Sequence, residues 1–516
     1  MLCQGGEGGR RGAAVERKSA TNHMNLGIVR LIAVCGLLYL PTLCIARPII
    51  EDDGGGDMGY IKTPMIVVFK DNESLGRARE MCFGDVNPLS HSPRLSNDLP
   101  DRCRLTGSCN HVYTASIKGI SGKFSADDLQ LFRECIPQGV RYTEADGKVS
   151  KEEDTKHQSQ ERKLPVTAFG GPAEEGDDEG GPAVSKMDAA QLAQLVSNPG
   201  KKSQRLHVAL WNLDRVDQRD LPLDKTYHYG TSDTVGTGRG VTIYILDSGV
   251  RPSHREFKEW LGDGTRAQYG YDFVDEDPVS EDCDGHGTHV ASSAIGRSVG
   301  IAKQAKVVAV RVLDCGGSGN ISTTVAGLDW VINNHQKPAV VAMSLGVSIG
   351  RWSRTLEDSV KSLINTHGIP VVVASGNSGV DSCFVAPANV PETITVAASN
   401  LETKFGATNT GDVEGIYRWS NTGKCVDVFA PGVDIYAACG GVGRCSEVTD
   451  GAYTWASGTS MAVPHVAGVV AMYLGENPTA TPAEVKEAIV GVATMGKIKS
   501  EFMKPDTPNR MLYSTL

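Results

Sequence analysis

Three short stretches carry side chains that could together transfer an acyl group. Asp247 follows the apolar run VTIYIL (241–246) and precedes Ser248-Gly249, which places a carboxylate where a strand ends in a sharp turn. His286 lies in Asp284-Gly285-His286-Gly287-Thr288-His289-Val290, ahead of the helical ASSAIG. Ser460 lies in Gly458-Thr459-Ser460-Met461-Ala462-Val463-Pro464-His465-Val466-Ala467-Gly468, at the start of a helix that continues through VVAMYL. Unpaired N–H groups and the positive end of the dipole at that helix start can hold a developing negative charge. Taken singly, each residue has a plainer reading. A strand-end Asp is usually a turn former, a helix-start Ser an N-cap, and His286 a structural residue or, with Cys283 and His289, a metal ligand. The Cys-His-His spacing matches no zinc pattern. As a set they complement one another: Ser needs a base to take its proton, His is that base near neutral pH, and a carboxylate holds its ring in the required tautomer.

Such residues must be carried by a rigid frame. From about residue 206 onward, β-branched runs (241–246, 306–313, 339–345, 370–375, 393–398) alternate with helical stretches. Continuous rather than alternating apolar runs predict strands covered on both faces, hence a mostly parallel sheet in an α/β domain. Sites in such sheets lie at the carboxyl ends of the strands, where Asp247 falls.

The order Asp, His, Ser, with ILDSGV, DGHGTHV and GTSMAVPHVAG around the three residues, resembles the subtilisin-like serine proteases, and among them the proteinase K-like branch. The likeness spans roughly residues 206–510. It implies a three-layer subtilisin-like domain with Asp247 as orienting acid, His286 as general base and then acid, and Ser460 as nucleophile. Asn377, in ASGNSG, matches the family's oxyanion-binding Asn, with the Ser460 N–H as companion donor. Gly317-Ser318-Gly319 and Ser344-Leu345-Gly346 correspond to segments that pair with an extended substrate, and Ala374-Ser375-Gly376 to a wall of the primary specificity pocket. Those segments contain no acid, so the expected preference is for apolar or aromatic residues before the cleaved bond. Val347 departs from the family's usual Gly, and its bulk is expected to narrow the outer subsites. By the same likeness Cys283 pairs with Cys315 and Cys383 with Cys425. Asp427, with the carbonyls of Pro391 and Thr393, matches a structural calcium site. No cofactor is expected for catalysis.

Residues 60–146 read as a small α+β unit, with strands IVVF (66–69) and HVYTASI (111–117), the helix SADDLQLFRECI and a final GVRYTEA. It resembles the propeptide of subtilisin-like zymogens, an intramolecular inhibitor, and first self-cleavage is expected soon after Asp146. Residues 147–205, with KEED, AEEGDDEGG and KK runs, read as an acidic flexible linker, and MDAAQLAQLV (187–196) could form a helix within it. Residues 206–516 are the expected peptidase domain.

The 15-residue apolar run LIAVCGLLYLPTLCI (31–45), after Arg30 and before Ala46, reads as a signal peptide within residues 1–46, or alternatively as a membrane anchor. Of 13 Cys, three lie in or before it; four of the remaining ten precede residue 150 and six follow residue 280. Cys439 and Cys445 could close a local bridge. An even set divided in this way suits an oxidising compartment, and with the signal it predicts a secreted or lumenal protein. The 516 residues exceed one domain, 51 Lys and Arg against 61 Asp and Glu give a net charge of −10, and no basic stripe is interleaved with aromatics. Nucleic acid is therefore excluded as a partner; proteins or peptides are expected as substrates of a monomer. The competing reading is a self-cleaving or inactive member of the fold that acts as a binding module.

Overall fold

The computed structural model describes residues 61–83, 101–152, 202–206, 210–231, 235–259, 262–347, 352–402, 413–442, 445, 448–499 and 501–515. The apolar run at 31–45 and the stretch at 187–196 lie outside the described residues. Everything described belongs to the unit Met58–Leu516.

The first part is built from β1 (Thr63–Phe69), α1 (Asn72–Phe83), β2 (Ser108–Tyr113), β3 (Gly119–Phe124), α2 (Ala126–Cys135) and β4 (Val140–Ala145). Its antiparallel sheet runs β2-β3-β1-β4. Ser125 caps α2 in a reciprocal box with Asp128, which satisfies two N–H groups at the helix start. Phe132 then packs edge-on against Phe69 and Phe124 at centroid distances of 5.9 and 5.3 Å. Disulfide Cys82–Cys109 ties α1 to β2, and Cys103–Cys135 ties α2 to the turn at 101–103. The strand expected over 111–117 stops at Tyr113. Beyond it, the N–H groups of Thr114, Ala115 and Ser116 donate to the Asp329 carboxylate at 3.1, 2.7 and 2.6 Å, which bends the chain away from extended pairing.

A fifth strand, β5 (Lys148–Lys151), leaves this sheet and joins another. The acidic composition that suggests a linker from residue 147 is therefore overridden as far as Glu152, because partners on both sides satisfy the strand's backbone. The remainder of the expected linker up to residue 201 lies outside the described residues. Further on, β6 (Lys202–Arg205) pairs with β7 (Thr226–Tyr229), flanking α3 (Trp211–Asp217).

The main sheet contains β8 (Thr242–Asp247), β9 (Ala267–Asp272), β10 (Lys306–Arg311), β12 (Ala339–Met343), β14 (Val371–Ala374), β15 (Ile394–Glu402), β16 (Val413–Ile416), β17 (Val428–Pro431), β20 (Thr494–Met495) and β21 (Arg510–Met511). Its order is β20-β21-β17-β15-β14-β12-β8-β10-β9, with β16 beside β15, and all its pairs are parallel except β15/β16 and β20/β21. Two short strands, β11 (Ser318–Asn320) and β13 (Leu345–Val347), flank β5 in a separate sheet, and β18 (Ile435–Ala438) pairs with β19 (Tyr453–Ala456).

Alternation along the central strands explains the three layers. Ile243, Ile245, Val340 and Ala342 join one apolar cluster with α4 (His286–Ile295) and α7 (Thr459–Glu476). Tyr244, Leu246, Val341 and Met343 join another with α5 (Ile321–Asn334) and α6 (Arg354–Asn365). Each strand is thus buried on both faces, as its unbroken apolar run requires. A last helix, α8 (Pro482–Val492), packs against α7.

Candidate active site

Asp247 is the last residue of β8, which is hydrogen-bonded to β10 and β12 and so held at the centre of the sheet. His286 opens α4. The Asp247 Oδ1 accepts the Ser248 N–H at 2.7 Å and lies 2.7 Å from His286 Nδ1, with both side chains fully buried. The opposite ring nitrogen, Nε2, is buried and has no hydrogen-bond partner. This leaves an imidazole held by an acid at one nitrogen and free to exchange a proton at the other.

Asp282, which the sequence reading passed over, locks this pair in place. Its Oδ1 accepts the Ser248 hydroxyl and the N–H groups of Asp284 and Gly285 at 2.9, 3.1 and 2.8 Å. Its Oδ2 accepts the Thr288 N–H and hydroxyl at 2.8 and 2.6 Å. Burial, followed by opposing hydrogen bonds, leaves its pKa above the usual carboxylate value. An acid three residues before the Gly285-His286 pair was the available signal.

Ser460 lies in the first turn of α7. Its hydroxyl donates to the Ser344 carbonyl at 2.9 Å, and the Ser344 hydroxyl donates to the Ser460 carbonyl at 3.0 Å. The acid and base are therefore joined, while the serine oxygen is turned to Ser344 rather than to His286 Nε2. Asn377 follows β14. Its Oδ1 accepts the Thr459 N–H at 3.0 Å, which fixes the amide so that its Nδ2 donor is buried and unpartnered. The expected substrate wall Ala374-Ser375-Gly376 is held by Asn421, also missed from sequence. The Asn421 amide donates to Ser375 O at 2.8 Å, its N–H donates to Gly376 O at 2.8 Å, and its Oδ1 accepts from Ser378 and Val380.

The chain's own residues 148–152 lie in the cleft. β5 runs antiparallel between β11 and β13, with Val149 opposite Gly319 and Val347, and Ser150 opposite Ser318 and Gly346. The Lys151 N–H donates to Gly317 O at 3.0 Å and the Glu152 N–H to Ser344 O at 3.1 Å. The Ser460 N–H in turn donates to the Glu152 carbonyl at 3.0 Å. Val149 and Val347 are buried in the same cluster as Leu345, so the valine expected to narrow the outer subsites packs with a second Val.

The Glu152 side chain lies between Gly346 and Asn377, where the primary pocket is expected. A side chain on Gly346 would meet its Oε1 at 2.8 Å, and the Asn377 N–H donates to its Oε2 at 3.0 Å. The residue keeps some exposed surface, yet desolvation of the enclosed carboxyl outweighs that single hydrogen bond and raises its pKa to about 7. The pocket expected to take apolar residues therefore holds an acid that meets no counter-charge among the described residues. It suits the neutral form best.

Disulfides Cys283–Cys315, Cys383–Cys425 and Cys439–Cys445 surround the cleft. The suggested calcium ligands do converge, but the Lys486 ammonium lies among them. It is 2.9 Å from Pro391 O, 2.7 Å from Thr393 O and 2.8 Å from the Asp427 carboxylate. These oxygens are satisfied by a cation of the chain itself, and the set does not fit a calcium ion as well.

Fold and site thus describe a serine hydrolase frame, and residues 238–509 match the Subtilase family. The chain belongs to that family. It is 43% identical over 306 residues to the alkaline serine exoprotease A of Vibrio alginolyticus, covering 59% of this chain and 50% of that protein. It is 44% identical over 306 residues to the extracellular serine proteinase of Thermus sp. (strain Rt41A), covering 59% and 66%. The chain therefore spans about half to two thirds of these relatives' lengths. Among solved structures, a cold adapted subtilisin-like serine proteinase matches at 40% identity and a TM-score of 0.51 over 61% of this chain and 100% of that one. Fervidolysin from Fervidobacterium pennivorans shares the fold at 19% identity and a TM-score of 0.56, over 89% of this chain and 61% of that one.

Proposed function

We propose that this chain is a secreted serine endopeptidase made as a self-processing zymogen. The first bond cut is Glu152–Glu153. The observation that carries this reading is the Ser460 N–H on the Glu152 carbonyl, with residues 148–151 paired on both sides as a substrate strand.

For attack, the Ser460 hydroxyl exchanges the Ser344 carbonyl for His286 Nε2, which takes its proton as Oγ bonds to the Glu152 carbonyl carbon. The carbonyl oxygen becomes anionic and is held by the Ser460 N–H and Asn377 Nδ2. Asp247 keeps the Nδ1 proton in place and stabilises the imidazolium, which then protonates the departing amine of Glu153. Water, deprotonated by His286, hydrolyses the resulting ester. No cofactor takes part.

After the cut, residues 148–152 hold the cleft as product, and the 60–152 unit acts as an intramolecular inhibitor until released. The primary pocket prefers apolar or aromatic residues and accepts Glu when protonated. The signal-like run and the five disulfides support export.

The test expresses the full chain and its Ser460→Ala variant, then compares size, N-terminal sequence and casein digestion. The parent should release a fragment beginning at Glu153 and digest casein, and the variant should do neither. Identical processing in both overturns the reading in favour of a binding module cut by other proteases.

A further inference from the structure

The 60–152 unit is held by a small core. Its cluster has nine buried side chains among the described residues, far fewer than either cluster of the main sheet. A unit this short buries a smaller share of its surface than a larger domain, so covalent staples matter more to it. Cys82–Cys109 and Cys103–Cys135 close loops of 27 and 32 residues, which removes conformations chiefly from the unfolded chain.

Cys82–Cys109 also lies on the route to the docking contacts. It joins the last turn of α1, where Ala78 and Met81 are buried, to β2. Further along that strand, the Tyr113 hydroxyl donates to the Ser322 carbonyl at 3.1 Å, and the turn beyond gives its N–H groups to Asp329 of α5. At the opposite edge of the sheet, Glu144 of β4 accepts the Thr355 N–H at 2.9 Å, and Asp146 accepts the Ser322 N–H at 2.9 Å. All of these contacts need the folded sheet. Cys82 and Cys109 are half-buried, whereas Cys103 is only 3% exposed, so the first bridge is the more open to a dissolved thiol.

From this arrangement we infer that Cys82–Cys109 is a redox latch on the inhibitor: closed, it keeps 60–152 seated on the cut enzyme, and a dithiol that opens it releases active peptidase. The inference rests on the proteolytic reading above and adds its regulation. A thiolate of the dithiol attacks one sulfur, the S–S bond breaks, and the other sulfur leaves as a thiolate that takes a proton. The second thiol of the reductant then resolves the mixed disulfide. The reductant ends as its own disulfide, and Cys82 and Cys109 end as two thiols. With the loop open, more of the free 60–152 unit is unfolded, and only the folded share can bind, so the apparent Kd rises by the inverse of that share.

The test takes the self-cut complex of the parent chain at a single pH and titrates it with dithiothreitol. Release of 60–152 is read by size-exclusion chromatography, and opened bridges are mapped by alkylation and mass spectrometry, so reduction of the peptidase's own disulfides does not mask the result. Release should be about tenfold or more faster once Cys82 and Cys109 are alkylated. The Cys82→Ser/Cys109→Ser double variant should release 60–152 at that faster rate without reductant; if it fails to fold, the parent titration decides alone. A parent complex that stays intact with both cysteines alkylated overturns the inference. So does release that occurs while Cys82–Cys109 is still closed. Either result leaves the proteolytic reading standing, whereas a parent that forms no cut complex overturns both.

Discussion

Asp247 Oδ1 is 2.7 Å from His286 Nδ1, and the second nitrogen of the same ring has no partner. The carboxylate therefore sets the tautomer that makes Nε2 a base. Asp247→Asn should leave the fold intact and reduce kcat by about 10⁴ near neutral pH, because the amide can stabilise the wrong tautomer. Steady-state kinetics with a thermal melt on the same sample checks this; a variant within tenfold of the parent would remove Asp247 from the mechanism.

Asn377 presents an unpartnered Nδ2 beside Ser460, held by the Thr459 N–H. Since that donor meets charge only as the oxyanion forms, Asn377→Ala should lower kcat by about 10²–10³ with little change in KM. An increase in KM at constant kcat would instead assign Asn377 to ground-state binding.

Glu152 carries the pH dependence of inhibitor release. Its carboxyl rises from an ordinary 4.5 to about 7 in the cleft because burial disfavours the charged form. The bound state therefore holds the extra proton between those values. Its contribution to binding is complete below about pH 4.5 and is lost as pH rises through 7. Added 60–152 segment should bind processed Ser460→Ala enzyme, prepared with an external protease, more tightly at pH 5 than at pH 8. Glu152→Gln in the segment should flatten the curve. A parent curve that is itself flat would rule out titration of this carboxyl.

Lys486 occupies the oxygen cradle of Pro391, Thr393 and Asp427. Lys486→Ala removes the ammonium and leaves two carbonyls and the Asp427 carboxylate facing one another, which should cost about 1–3 kcal/mol and lower the melting point by several degrees. Calcium should then restore part of the loss, raising the variant's midpoint more than the parent's. Equal calcium shifts in both proteins would mean that the ion binds elsewhere or displaces the lysine.

The parallel sheet was legible because β8, β10, β12, β14 and β15 are buried on both faces, and such strands need unbroken apolar runs. Asp247, His286 and Ser460 were legible because each sits at a strand end or helix start marked by glycines. Asn421 and Lys486 were not: they donate or accept hydrogen bonds to groups distant in the chain, and no local spacing marks such a partner. The linker boundary was misplaced for a related reason. Lys148 to Glu152 are polar apart from Val149 and look solvated, yet their backbone is satisfied by β11 and β13, which lie some 170 to 200 residues away.

Sequence alone therefore determined the chemistry on offer and the kind of frame that holds it, since residue type and hydrophobic period are local properties. Only the tertiary structure decided which carbonyl meets the Ser460 N–H and which cation fills the Asp427 cradle. Those pairings depend on approach distances of about 3 Å between remote segments, and packing of the whole chain sets them.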